Sequence, residues 1–380
     1  MPTYYDFFCG GGMVNAGLGD DWECIFANDI DEKKLQVYRK NWGNNHLVPG
    51  DVNDVTCDQL PGIADLAWAS FPCQDLSLAG KYQGLMGKRS GTFWPFWKLI
   101  EDLKYEDRQP RIIVLENVAG AITSNRFTDF AAIVEAFVEE GYRCGALVIN
   151  AKHFVPQSRP RLFIIGVKEN LYIPKIIFKE YPQKKWHTST LIKAYYQLNP
   201  IMKKHWIWWH LPLPNNTPTP LLEILELESK YVKWNTIEKT NCLLGLMDDS
   251  NLKKIQMAKN ANSIKVGTLY RRTRPNGNGG KIQRAEVRFD DIAGCLRTPA
   301  GGSSRQTIVV VNGETIKTRL LTPRETARLM GLDDSFHLPK RYNEAYHLTG
   351  DGVVAPVVEH LKNFIFEPIF IANQVRAVYS

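Results

Sequence analysis

Three short stretches of this sequence carry side chains able to do covalent chemistry together. Cys73 lies in a polar loop, Phe71-Pro72-Cys73-Gln74, just past an apolar run at residues 66–70. A thiol at the carboxyl end of a strand is placed for attack rather than packing, but it needs a positive neighbourhood to ionise near neutral pH. Cysteine also serves as a small buried hydrophobe, the role expected of Cys24, Cys57, Cys144, Cys242 and Cys295. Glu116, in Leu115-Glu116-Asn117-Val118, follows another apolar run and should emerge at the same sheet edge as Cys73. A carboxyl group partly desolvated there can deliver a proton, or it can simply brace a loop or cap a helix. Gln157-Ser158-Arg159-Pro160-Arg161 leads into a third run. Residues 159 and 161 of an extended chain share a side, so both guanidinium groups are expected to reach one pocket and hold an oxygen or a phosphate. A surface ion pair would explain them equally.

A fourth stretch reads as a cofactor cradle. Asp6-Phe7-Phe8-Cys9-Gly10-Gly11-Gly12 ends a strand and enters a helix, letting backbone approach a nucleotide-like molecule. Asp29 stands 19 residues after Gly10, at the end of the next strand, where a carboxylate can accept both ribose hydroxyls. A nicotinamide cofactor or a plain tight turn also fits these residues. The loop departs from G-x-G-x-x-G because Asn15 stands at the last glycine position, which favours a cofactor with no pyrophosphate.

These groups need a frame. Apolar runs at 4–8, 24–28, 66–70, 111–115, 142–150 and 162–167 alternate with helical patterns at 32–41, 92–103 and 127–140. Such alternation predicts an α/β fold, a mostly parallel sheet covered on both faces, with ligands at the strands' carboxyl ends. The rhythm stops near residue 168. Residues 168–312 are proline-punctuated, Trp-rich and Gly-rich, and are expected to form a second domain of irregular and β structure, with Trp206, Trp208 and Trp209 as its core. Order returns at 322–330, a helix with Thr322 as N-cap, Pro323 first and Glu325 closing a capping box, and at 352–366. Residues 1–167 plus 313–380 thus form the expected main domain, and 168–312 the smaller one.

Charge separates the two. Residues 168–312 carry a net +12 and the remainder −5, within a total of +7 over 380 residues. A basic segment beside a mildly acidic body suits phosphate binding, as it also suits a solvated lysine-rich face. No run of about 18 apolar residues supports a membrane span. The amino-terminal residues do not read as a signal peptide. Seven scattered cysteines with no CxxC pair predict neither disulfides nor a structural metal site, and so a reducing, cytoplasmic home.

Taken in order, FxGxG, PCQ, ENV and QxRxR resemble the DNA cytosine-5 methyltransferase family of restriction–modification systems. Arg319-Leu320-Leu321-Thr322-Pro323-Arg324-Glu325 and Gly350-Asp351-Gly352-Val353-Val354 resemble its last two blocks. The likeness spans residues 4–167 and about 317–365. It implies a Rossmann-like, S-adenosylmethionine-dependent methyltransferase fold with a smaller target-recognition domain. It also implies a mechanism. Cys73 adds to carbon 6 of a flipped cytosine, carbon 5 takes the methyl group, and loss of the carbon 5 proton and of Cys73 releases the product. Glu116 would bond the pyrimidine N3 and amine, and Arg161 with Arg159 would hold the base oxygen.

For the cofactor, the resemblance assigns Phe8 to the adenine, Gly10 and Gly12 to close approach, Asp29 and Ile30 to the ribose side, and Asp51 and Val52 to the adenine amine. Pro72 and Phe93 line the same site, which Asp351 and Gly352 close. Met13, Asp351 and Gly352 depart from the residues common there, which bears on cofactor fit alone. Duplex DNA is the implied partner, read by Arg271, Arg272, Arg274, Arg297, Ser303, Ser304, Arg305 and Gln306, with Gln74 and Ser77 beside Cys73. A monomer is expected, with a cognate restriction endonuclease acting on the same site as a further partner. A tRNA cytosine-5 methyltransferase of the same fold and a catalytically inactive DNA-binding homologue are the rival readings. A nicotinamide oxidoreductase would explain neither PCQ nor the basic segment.

Overall fold

The computed structural model describes residues 1–72, 90–227, 232–275, 280–298 and 305–379. Its main sheet has seven strands: β1 (Thr3–Phe7), β2 (Glu23–Asp29), β3 (Leu47–Pro49), β4 (Leu66–Ala69), β5 (Ile112–Val118), β6 (Tyr142–Asn150) and β7 (Pro160–Lys168). Their order is β3-β2-β1-β4-β5-β7-β6. The first five are parallel, while β7 runs antiparallel to both β5 and β6. The carboxyl ends of β1, β4 and β5 therefore share an edge with the amino end of β7. Arg161, near the start of β7, pairs with Val118 at the end of β5. Edge strand β3 leaves no sequence signal, because three residues are too few to show a period.

Helices α1 (Met13–Leu18), α2 (Glu32–Trp42), α3 (Phe93–Tyr105) and α4 (Thr128–Glu139) belong to the same unit. Helix α2 starts where Asp31 accepts the Lys33 amide, the usual remedy for an unpaired amide at a helix start. On α3, Phe93, Phe96, Trp97, Ile100 and Leu103 recur at helical spacing and are buried in one cluster with Tyr5, Phe7 and Leu115 of the sheet.

Two compact units divide the chain. One comprises Met1–Asn150, Pro160–Pro214 and Val353–Ser380; the other Ala151–Arg159 and Asn215–Gly352. This differs from the division at 168 and 312. The reason lies in β6, an edge strand whose unpaired backbone groups need partners. Cys144 N donates to His205 O at 3.0 Å, and Ile207 N donates to Cys144 O at 2.8 Å. Gly145 permits this approach, since a Cβ there would lie 1.9 Å from Ile207 O. The tryptophans follow. Trp206 packs against Phe130 and Tyr195, and Trp209 is fully buried, so they belong to the larger unit's core rather than the smaller one's. The short strands β8 (Phe178–Lys179) and β9 (Trp208–Trp209) and helices α5 (Ser189–Gln197) and α6 (Pro200–Lys204) complete this region.

The second unit holds an antiparallel sheet of β10 (Lys265–Pro275), β11 (Lys281–Arg288), β12 (Thr307–Asn312) and β13 (Thr315–Leu320), in order β11-β10-β12-β13. It also holds α7 (Leu221–Ile224), α8 (Ile237–Gly245), α9 (Asp249–Lys259), α10 (Pro323–Arg328) and α11 (Tyr342–Asp351). Expected as irregular and β, it is more helical than that. Helices α8 and α9 are capped by Thr236 and Asp248, and are too short to stand out between proline- and glycine-rich stretches. The capping box at α10 is present. Thr322 N donates to Glu325 Oε2 at 2.7 Å, and Glu325 also takes two bonds from the buried Arg319, at 2.7 and 2.6 Å. Helices α12 (Ala355–Leu361) and α13 (Glu367–Tyr379) return to the first unit. Among the described residues no helix is long and apolar enough to cross a membrane.

Candidate active site

Glu116 and Arg161 meet at the shared edge. Arg161 Nε lies 3.2 Å from Glu116 Oε1, with both side chains largely buried. The next residue, Asn117, sends its side-chain amide to Phe71 O at 3.3 Å, while its own Oδ1 accepts the Val118 amide at 2.8 Å. The end of β5 is thus tied to backbone two residues before Cys73. Sequence reasoning gave Asn117 no role, although it sits in the ENV motif. Cys73 itself, with Gln74 and Ser77, lies outside the described residues. Of the other thiols, burial pushes Cys9, Cys24, Cys57 and Cys144 above the ordinary range, Cys24 to about 12. Those four are the wrong environment for a thiolate. Cys242 is exposed, contrary to its expected place in a core, because α8 turns it outward.

Arg159 requires a correction. Strand β7 begins at Pro160, so the alternation that would put residues 159 and 161 on one side does not extend back to Arg159. Its guanidinium is buried at 1% exposure and donates to Leu296 O at 2.9 Å, Gly350 O at 2.9 Å and Gly352 O at 2.7 Å. Arg159 pins three backbone segments of the second unit. Gln157 does the same, donating to Leu329 O at 2.8 Å and accepting from Leu296 N at 3.0 Å.

The glycine loop forms as expected after β1. Phe8, half-buried, has φ +60, a strained value for a non-glycine residue. Gly12, at φ +80, admits nothing larger: a Cβ would lie 2.2 Å from Trp42 Nε1. Asp29 binds the loop to the end of β2, its oxygens accepting Gly10 N at 2.9 Å and Asp31 N at 2.8 Å. Ile30, beside it, is 69% exposed, an apolar surface left beside the cradle. Asp51 accepts the Asn53 amide at 2.9 Å, and Val52 is buried in the core. Pro72 is exposed. Phe93 is fully buried, with Phe71, Trp94 and Trp97 as ring neighbours. Asp351 accepts from Thr298 Oγ1 at 2.7 Å, and it and Gly352 fall in the second unit.

Asp6 is the residue that sequence reasoning passed over. It is fully buried on β1, two residues before Phe8, and neither carboxylate oxygen meets a donor among the described residues. Burial, and then the charge of Asp29, pushes its carboxyl well above the usual range. A buried carboxylate with no partner suits a positively charged ligand group. The cradle therefore fits a nucleoside carrying positive charge better than a pyrophosphate.

In the second unit, Arg271, Arg272 and Arg274 lie on β10, and Arg297 is exposed. Arg305 donates to Asn343 Oδ1 at 2.6 Å. Gln306 is 7% exposed, with its amide directed to Cys295 O at 3.3 Å, so it braces the interior and is not presented to DNA as expected. Ser303 and Ser304 lie outside the described residues.

Sheet order, glycine loop and the acid ending β2 together define an S-adenosylmethionine-dependent methyltransferase fold. The chain belongs to the C-5 cytosine-specific DNA methylase family, whose model matches residues 3–367. It is 28% identical over 362 residues to the type II methyltransferase M.NgoBI of Neisseria gonorrhoeae, covering 94% of this chain and 91% of that one. It is 26% identical over 361 residues to the type II methyltransferase M.HhaI of Haemophilus parahaemolyticus, covering 94% and 92%. Its fold matches the crystal structure of the S. pombe Dnmt2 methyltransferase with a TM-score of 0.63 at 16% identity, over 97% of this chain and 99% of that one. The family makes the protein a cytosine-5 DNA methyltransferase.

Proposed function

We propose that the protein methylates carbon 5 of cytosine at one specific sequence in duplex DNA, through a transient bond between Cys73 and carbon 6 of a flipped base. The observation that carries this reading is the Glu116–Arg161 pair at the edge where Asn117 holds Phe71 O. S-adenosylmethionine, when bound, supplies an electrophilic methyl group. The chain's own residues would do the rest. Asp29 and Ile30 would hold the ribose side, Gly10 and Gly12 would allow close approach, and Asp6 would face the positive charge.

Cytosine carbon 5 is a poor nucleophile. Addition of the Cys73 thiolate at carbon 6 places electron density on carbon 5, which can then form the new carbon–carbon bond. Glu116 would bond the ring N3 and amine and supply the ring with positive character as the adduct forms, while Arg161 holds the Glu116 carboxyl group and reaches the base oxygen. Loss of the carbon 5 proton and elimination of Cys73 restore the ring. Because the target atom is stacked inside the duplex, the base must leave it. The second unit would read the flanking sequence. The type II relatives suggest a restriction–modification setting with a cognate endonuclease.

Bisulfite sequencing of duplex DNA incubated with the protein and S-adenosylmethionine tests this. Protection of cytosine in one sequence context is the expected result. Methyl transfer to tRNA with no protected cytosine in DNA would overturn it.

A further inference from the structure

The sheet of the second unit is unequal in length. β12 pairs with β10 over Lys265–Leu269 only, whereas β10 and β11 stay paired out to Pro275 and Lys281. Beyond the bridge between Met247 and Ala285, four residue pairs continue as a ribbon that is two-stranded among the described residues. At about 3.4 Å per residue it extends roughly 13 Å, close to the width of a major groove, which accepts such a ribbon.

Register sorts its side chains. Residues directly opposite share a face. Arg271 and Ala285, then Thr273 and Gln283, continue the face that buries Leu269 and Val287. Tyr270 and Glu286, Arg272 and Arg284, and Arg274 and Ile282 form the other face. One carboxylate stands among its arginines. Glu286 Oε2 lies 3.2 Å from Arg272 Nε, and Glu286 Oε1 accepts from Arg274 Nε at 2.9 Å and also from its terminal nitrogen. The Arg272 guanidinium also lies 5.8 Å from the centre of the Tyr270 ring. Arg272 and Arg274 are about half exposed, so both bonds are within reach of solvent and of a competing anion.

We propose that Glu286 is a specificity-determining residue, which holds Arg272 and Arg274 on the ribbon and yields them only to DNA that replaces both bonds. This rests on the second unit reading duplex DNA. Partly exposed ion pairs of this kind are individually weak, so a phosphate or a guanine edge set at the right place displaces the carboxylate. A phosphate met at random must still compete with it. Glu286 thus acts against wrong sequences rather than for the right one.

The test compares the wild-type chain with Glu286→Gln, a neutral side chain of equal size, for binding to a labelled random-sequence duplex over a range of salt concentrations. The freed arginines should tighten random-sequence binding several-fold. The slope of log affinity against log salt should steepen by up to about 1.8, about 0.9 for each added phosphate contact. In an Arg272→Gln, Arg274→Gln background the same Glu286 change should have no effect. Wild-type binding with an unchanged slope in Glu286→Gln would refute the role of Glu286 alone. Failure of the wild type to bind any duplex would remove the underlying reading as well.

Discussion

Arg161 Nε stands 3.2 Å from Glu116 Oε1, although 45 positions separate the two in the chain, because β7 returns antiparallel beside β5. The pair aims a carboxyl group that is almost closed to water. It also couples the two residues, since removing one charge takes an ion-pair partner from the other in a largely buried setting.

Glu116→Gln should lower kcat by a factor on the order of 10²–10⁴ while leaving S-adenosylmethionine affinity unchanged. Steady-state kinetics with calorimetric titration of the cofactor would check this. Equal loss of both would show that Glu116 braces the fold instead.

Cys73→Ser is expected to abolish turnover and to keep cofactor binding. Duplex DNA carrying 5-fluorocytosine should trap the native protein covalently, because fluorine cannot leave as the carbon 5 proton does. The variant should form no adduct on a denaturing gel. An adduct formed equally by the variant would remove Cys73 from the mechanism.

Asp6→Asn should weaken binding of S-adenosylmethionine about tenfold or more and leave adenosine binding nearly unchanged. A hydrogen bond or ion pair to a charged group is worth about 1.5–3 kcal/mol, and adenosine lacks the charge. Parallel titrations of the two ligands separate a role toward charge from a role in shaping the loop, which would weaken both alike.

His187 supplies a pH dependence. It is buried beside Trp208 and its Nδ1 accepts the Gln183 amide at 2.7 Å. Burial lowers its pKa from 6.5 to about 4. The unfolded chain therefore binds a proton that the native chain resists. The associated stability is complete above the ordinary histidine value and is lost as pH falls to about 4, up to roughly 3 kcal/mol. Thermal unfolding of His187→Gln should show a shallower acid limb than the wild type. Identical limbs would mean that the other histidines with lowered values, His46, His210 and His360, account for all of it.

Much of this was legible in the chain itself. Six strands of the main sheet, the glycine loop, the acid at the end of β2 and the capping box before α10 are local features, each set by residues within a few positions of one another. Tertiary structure decided the rest, because it depends on groups far apart in sequence. Strand alternation put Arg159 beside Arg161, yet the strand starts between them, and Arg159 instead binds carbonyls 137, 191 and 193 residues away. Composition put the tryptophans in a second core, but the open edge of β6 claimed them. Asp6 looked like one more strand residue until packing enclosed its carboxylate with no hydrogen-bond partner among the described residues, and that can be seen only once distant segments are brought around it.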